Sequence, residues 1–560
     1  MIRPRKTCVC FLLIQYVFCW DVSSLQTEIQ ALFSAPKMEE RPKREVSSDL
    51  DPDFHEPPIS SKNIYKSYVA HRKGFMCHDP QDGTERLFEI FMNGLPHADP
   101  FCPQLRVVIV GGGVAGLTAA KLLKDAGHHV LILEANNQIG GRVQTYRDLS
   151  EGWHVELGAM RIPNHATFLL EFIKQKRIQV APFRAIDADE DIYVHNRSGR
   201  DQELESIESE KERYEKLFDH AMSAPKEAFR TLPWPTFLKI YDQYSLKQWL
   251  QRNENLTHED IQKMAVHFNF EGYVHLGLTE TVVDECAFTD PEFHTIPNGM
   301  DEIPRAMAED MGGHIRLNAK VIGISQEGDH VTVKVDCQGT NCQERELYFA
   351  DAVILTTSPT VTTTIQFKPP LPRQKAAALR RTNSQLSTKV VLVFHSPFWE
   401  RQGGPKGRKT YTDLLPRVMY YPTHDTRSGV GVLLASYTWG TDSLKLIGMS
   451  DDDVIEKCLE ALAQIHHQDL TFIKEQFLRG VVKHWSLDPF TLGAFAQFAP
   501  FEYSEVNHYL RRPVGTIFFA GEYTESPHAW IDTAMKSGVR ACAQMIFGPN
   551  WKSQTNCLNK

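Results

Sequence analysis

Residues 106–134 read RVVIVGGGVAGLTAAKLLKDAGHHVLILE, and few folds accept such a run. The apolar stretch Val107 to Val110 is too short for a helix and is cut off by Gly111, Gly112 and Gly113, which predicts a strand buried in a parallel sheet. A helix is expected to open at Val114 and Ala115 and run to Ala126, with Leu117, Ala119, Ala120, Leu122 and Leu123 on its buried side and Gly127 as its stop. Val130 to Leu133 predict a second strand. Gly111, Gly113 and Gly116 then fall on a strand-to-helix turn where backbone amides can approach a pyrophosphate, and Glu134 falls where an acid bonds a ribose hydroxyl. An acid there suits an unphosphorylated ribose, so FAD and NAD both stay open and NADP is disfavoured.

The chain has 560 residues and a formal net charge of -9, without the basic patch that nucleic-acid binding needs. Arg3, Arg5 and Lys6 precede an apolar run from Cys8 to Trp20, the pattern of a secretory signal and too short for a membrane span. Of the eleven cysteines, three lie in that segment; the others, Cys77, Cys102, Cys286, Cys337, Cys342, Cys458, Cys542 and Cys557, have no metal-site spacing. Cys337 and Cys342 flank a short turn and suit a hairpin disulfide in an oxidising compartment. Asn196 and Asn255 begin glycosylation sequons, in keeping with secretion.

Residues 21–75 are rich in Pro, Ser and charge and are expected to be disordered; Arg41-Pro42-Lys43-Arg44 within them is either a processing site or an exposed charge run. A short helix is expected around Gln81 to Asn93. After the opening unit come Gly140, Gly141 and Arg142, where glycines let the backbone pass close to a ligand and Arg142 is either a phosphate-facing cation or a surface charge. Helices are expected over Thr167–Gln175, Glu203–Glu227, Ser245–Arg252 and His258–Phe268, with a break at Pro233-Trp234-Pro235. The α/β pattern resumes at Ile296, with Phe349 to Thr356 as one buried strand, and a second set of strands begins near Ser387. The last unit is the strand Thr516 to Ala520 meeting Gly521 and Glu522, followed by Ala529, Trp530, Ile531, Asp532, Thr533 and Ala534, which open a helix whose N-terminus offers a second place for a phosphate or a ring edge.

Read together, the glycine turn, Glu134-Ala135, Gly140-Gly141-Arg142, Gly158-Ala159-Met160-Arg161, Ser387-Thr388-Lys389, Gly521-Glu522 and Ala529-Trp530 strongly resemble the secreted L-amino-acid oxidases of the FAD-dependent amine oxidase superfamily. The resemblance implies an α/β protein with a Rossmann-like FAD-binding domain, a substrate-binding α+β domain and a helical insertion. The expected layout is signal 1–20, segment 21–75, FAD-binding parts at 76–180, 296–385 and 506–548, the insertion with substrate-domain parts at 181–295, the substrate domain at 386–505 and a tail at 549–560.

It further implies noncovalent FAD, an L-amino acid with an apolar or aromatic side chain and oxygen as partners, and secretion or residence in a secretory or lysosomal lumen. A homodimer stays open. Arg161 matches the arginine that grips the substrate carboxylate, and Tyr437 the tyrosine beside it, with Ser436 competing if the match slips by one. Ala529 and Trp530 match the pair beside the substrate amine, and Lys389 the lysine that holds a water near the flavin. Gly158, Ala159, Met160, Val321, Glu522 and the run to Ala534 are expected to touch the cofactor.

There are departures. The family's venom members carry a histidine in the helical domain, and near that place this chain reads Thr281-Val282-Val283-Asp284, with no histidine and with valines that cannot serve as acid or base. Two venom-type cysteine pairs also look lost, with Trp234 in place of the partner of Cys77 and with Phe394 and Phe477 in place of the second pair. The alternatives are a monoamine or polyamine oxidase and a secreted flavoprotein without turnover.

Overall fold

The computed structural model describes residues 83–98, 104–183, 190–194, 197–198, 204–288, 292–328, 330–337, 346–401, 407–421 and 429–548. The expected signal, the 21–75 segment with its basic site, Cys77, Cys102, the Asn196 sequon, Cys342 and the 549–560 tail lie outside these residues. Asn255 of the second sequon is exposed.

Five strands form the sheet on which the nucleotide half rests: β1 (Arg106–Val110), β2 (His129–Leu133), β3 (Ile315–Arg316), β4 (Ala352–Leu355) and β5 (Ile517–Phe519). Their order is β3-β2-β1-β4-β5 and every pairing is parallel. Val107, Ile109, Ile132 and Ile354 are buried, as expected of strands covered on both faces. The order reverses between β1 and β4, and in an open α/β sheet the crevice beyond the strand ends at that reversal is where ligands bind. Gly111 and Thr356 stand there, with the Thr356 hydroxyl donating to the carbonyl of Val110 at 2.9 Å and of Gly111 at 3.1 Å.

Helix α1 (Val114–Asp125) follows β1 directly. A Cβ on Gly116 would run into the carbonyl oxygen of Gly111, so only glycine lets this turn close. A Cβ on Gly538, in the long C-terminal helix, would meet the carbonyl of Ala115, which ties the two ends of the chain together at one close helix crossing.

The expected Phe349–Thr356 strand is in fact two. It breaks at Asp351, whose carboxylate accepts the Arg106 backbone N–H at 2.8 Å and pairs with the Arg106 guanidinium at 2.7 Å. Glu346–Ala350 joins an antiparallel neighbour, while β4 turns into the parallel sheet.

The helical region runs through α2 (Leu204–Thr231), Trp234–Tyr241, Leu246–Asn253, His258–Phe268 and α3 (Leu278–Phe288). In α2 the buried Tyr214, Ala221, Met222 and Phe229 recur on one face. Ser245 and Thr257 cap their helices through complete capping boxes. The proline pair expected as a break is instead a helix start, with Pro235 in the first turn. Helix α3 is absent from the sequence expectation, and its position matters below.

A seven-stranded sheet makes the other half; it contains the fully buried strand Ser387–Phe394, second from one edge, and also takes in Glu190–Val194. Phe394 and Phe477, read as replacements of a cysteine pair, are register partners in this sheet with ring centroids 6.0 Å apart. Trp234 stacks on Phe237 at 5.6 Å. Packing thus fills both places, although Cys286 is disulfide-bonded, a link the sequence reading did not foresee. Among the described residues no helix is long and apolar enough to cross a membrane.

Candidate active site

A cavity of about 760 Å³ runs from the sheet reversal to the helical region. Its first end is lined by Gly111, Gly113, Val114, Ala115, Glu134, Ala135, Gly141 and Arg142. No side chain caps the N-terminus of α1, and a Cβ on Gly113 would meet nothing within 4 Å, so the first amides of the helix look onto open space. Glu134 accepts the Gly112 N–H at 2.6 Å and the Asn136 N–H at 2.7 Å. Burial pushes its carboxyl upward against these donors. A carboxylate has room for more than two donors, so a ribose hydroxyl fits beside them. Uncapped amides at one point and a buried acid at the next match a dinucleotide with a pyrophosphate.

The chain's two ends meet at Arg142 and Glu522. The Arg142 guanidinium donates to Glu522 Oε1 at 2.7 Å, and the Ala529 N–H donates to Oε2 at 3.0 Å. Burial opposes the Glu522 charge, but Arg142 and His528 prevail and hold its carboxyl below the usual range. Arg142 is therefore no stray surface charge.

Helix α4 (Ile531–Phe547) likewise begins without a side-chain cap, behind Trp530. Ala529, Trp530, Ile531 and Ala534 line the cavity. Asp532, Thr533 and Gly116, expected beside the cofactor, stand behind the wall: Asp532 accepts the Leu169 N–H at 2.9 Å, Thr533 is buried in the helix, and Gly116 lets the turn close on Gly111. Gly158, Ala159, Met160 and Val321 are all on the wall.

Lys389 lies on the buried Ser387–Phe394 strand, opposite Tyr437 in the register. Its Nζ donates to the carbonyls of Gly158 at 2.7 Å and Glu156 at 3.1 Å and sits 4.7 Å from the Tyr437 ring centroid. Burial lowers its pKa to about 7, with Glu156 opposing. Nζ also meets Met160 Sδ at 3.4 Å, so three protein atoms surround it on the wall. Burial raises Glu156 in turn to about 7.

Arg161 follows Met160 and precedes Ile162–Pro163, which pairs with Phe293–Thr295. That pairing puts its guanidinium 5.4 Å from the Phe293 ring centroid and 4.9 Å from that of Phe288. Among the described residues it has no hydrogen-bond or ion-pair partner, yet it faces the cavity. Tyr437 lines the same end, and burial pushes its hydroxyl up to about 12. Ser436 is turned away and donates to the Pro416 carbonyl at 2.9 Å, so the competing match is excluded. Among the described residues the buried Nε1 of Trp530 has no hydrogen-bond partner.

Val283 packs in the helical core, and its neighbour Asp284 lines the cavity, accepting the Tyr273 hydroxyl at 2.6 Å. Tyr420 and Trp439 also line it and were not foreseen. The available signal was the four-residue spacing of Asp284 and Phe288, visible once the segment is read as helix.

Residues 114–546 match the family described as flavin containing amine oxidoreductase. An L-amino-acid oxidase of Siganus canaliculatus is 38% identical over 474 residues, 82% of this chain and 88% of that one. An L-amino-acid oxidase of Mus musculus is 33% identical, over 84% of this chain and 74% of the mouse chain. Among solved structures, putrescine oxidase with bound putrescine superposes with a TM-score of 0.66 at 21% identity, covering 79% of this chain and 99% of that chain. Cyclohexylamine oxidase from Brevibacterium oxydans gives 0.63 at 19%, with the same coverage. At such identities the structures speak for the fold.

Proposed function

The chain belongs to the flavin containing amine oxidoreductases, and we propose on that footing that it is an FAD-dependent L-amino-acid oxidase, converting an L-amino acid, water and oxygen into a 2-oxo acid, ammonia and hydrogen peroxide. The unpaired Arg161 guanidinium on the cavity wall carries this reading. A buried guanidinium without a carboxylate is costly, and a substrate carboxylate relieves it with two parallel bonds. Putrescine, which the structural neighbour binds, has no such group.

Bound FAD supplies the hydride acceptor. The uncapped amides of α1 and the Glu134 carboxylate hold its nucleotide end, and the Arg142–Glu522 pair braces the wall between. No cysteine or histidine lines the cavity among the described residues, consistent with noncovalent binding. Arg161 clamps the substrate carboxylate, with the free Tyr437 hydroxyl beside it. Trp530 and Phe288 close the corner and exclude water, fixing the α-carbon in one orientation. Lys389, set on the cavity wall by the Gly158 and Glu156 carbonyls, holds a water or takes a proton at Nζ. Secretion rests on the basic-then-apolar N-terminal run and the Asn255 sequon.

The test is anaerobic mixing of the purified yellow protein with L-amino acids. Loss of the visible flavin band, followed on aeration by peroxide, is the expected result. Bleaching by amines alone would favour an amine oxidase, and silence with both would favour a protein without turnover.

A further inference from the structure

Two of the charges on the cavity wall are opposite in sign and in salt-bridge contact neither with each other nor with any other described group. One is Arg161. The other is Asp284, whose single hydrogen-bond donor among the described residues is the Tyr273 hydroxyl. The charges around Asp284 are already matched: Glu280 holds His528 Nδ1 at 2.9 Å, and Glu285 pairs with Lys226 at 3.3 Å. What remains is a carboxyl aimed into an enclosed space.

Its place is set by α3. Phe288 stands in the corner with Arg161 and Trp530, with ring centroids 5.7 Å apart for Phe288 and Trp530. Asp284 precedes Phe288 by four residues on the same face, about one helical turn or 5.4 Å back from that corner. Beside it a run of aromatic rings continues, Tyr273 to Trp439 at 6.4 Å and Trp439 to Tyr437 at 5.2 Å. With the substrate carboxylate on Arg161 and the α-carbon at Trp530, the substrate side chain extends along this wall.

We propose that Asp284, held by the Tyr273 hydroxyl on a cavity wall that also carries Trp439 and Tyr437, is a subsite for a cationic substrate side chain, so that the preferred substrates are L-amino acids ending in an amine or guanidinium. The proposal rests on the oxidase reading above and replaces the expectation of an apolar or aromatic side chain. A carboxylate bonded to one hydroxyl and walled by aromatic faces suits a cation in both respects. With Arg161, the cation that acts on Asp284, taken by the substrate carboxylate, an apolar side chain would leave this carboxyl without a counter-charge of its own. Burial lifts it to about 7 in the free protein, and an adjacent cation would bring it down into its charged form.

The experiment compares kcat/KM for L-lysine with that for L-norleucine, which is lysine without its terminal amine. The wild-type holoenzyme is expected to favour lysine by about tenfold or more. In Asp284→Asn that ratio falls about tenfold, chiefly through the KM for lysine, while Asp284→Glu keeps a preference for the cationic substrate. A wild-type enzyme that oxidises norleucine as well as lysine overturns the subsite without touching the oxidase reading. Equal losses for both substrates in Asp284→Asn, with flavin content retained, also overturn it, since Asp284 would then serve a group common to all amino acids. Silence with every amino acid contradicts the oxidase reading itself.

Discussion

Arg142 and Glu522, 380 residues apart in the chain, meet at 2.7 Å beside the cavity. The same carboxylate takes the backbone N–H groups of Ala496 and Ala529, so one buried acid joins the nucleotide turn, the substrate half and the start of the last helix. Glu522→Ala would strand Arg142 and two amides. A loss of about 3 kcal/mol or more in stability is expected, with protein purified largely free of flavin. Denaturant titration and the flavin-to-protein absorbance ratio measure both, and full flavin content in the variant would contradict the assignment.

Two glycines of the opening turn predict opposite failures. Gly116→Ala puts a methyl against the Gly111 carbonyl and should prevent the turn from closing, leaving little folded protein. Gly113→Ala meets nothing in the protein and should fold, but its methyl stands where the ligand must pass, so cofactor affinity falls. Circular dichroism and flavin titration separate the two; equal folding in both variants would be the contrary result.

Arg161→Lys should keep FAD bound while kcat/KM drops by about ten- to a hundredfold with a raised KM, because a point charge replaces a two-pronged clamp. Unchanged kinetics would remove Arg161 from the substrate.

The buried Lys389 amine titrates near 7 rather than in the ordinary lysine range, because burial disfavours its charge. The unfolded chain therefore binds a proton that the native chain lacks between about 7 and 10.5, and this residue's contribution to stability rises with pH across that window. Below 7 the native state must carry the buried charge. Wild-type stability relative to Lys389→Met should accordingly improve from pH 7 upward, and a limb near pH 7 in flavin reoxidation should vanish in the variant. A pH-independent difference in melting temperature would refute the neutral amine.

The nucleotide turn was legible because its constraints are local: a strand, glycines and a helix within thirty residues. Arg161, Lys389, Tyr437 and Trp530 were legible through motifs, and the cavity does gather them. Asp284 was not, because a helix whose buried positions extend around most of its surface shows no clear period, and the apolar Val282 and Val283 beside it read as core. Asp532 misled for the opposite reason: it sits within a motif, yet its carboxylate ties down the neighbouring Thr167–Lys176 helix. Asp351 ended a strand that apolarity alone would have continued, through an ion pair with a residue 245 positions away.

The most direct measurement sets each L-amino acid against the amine it becomes without its carboxyl group, leucine against isopentylamine, phenylalanine against phenethylamine and lysine against cadaverine, under anaerobic conditions with the flavin band as readout. Arg161 predicts bleaching by amino acids and none, or at least a hundredfold less efficient bleaching, by their amines. Equal or faster bleaching by the amines would contradict the carboxylate clamp and the function built on it.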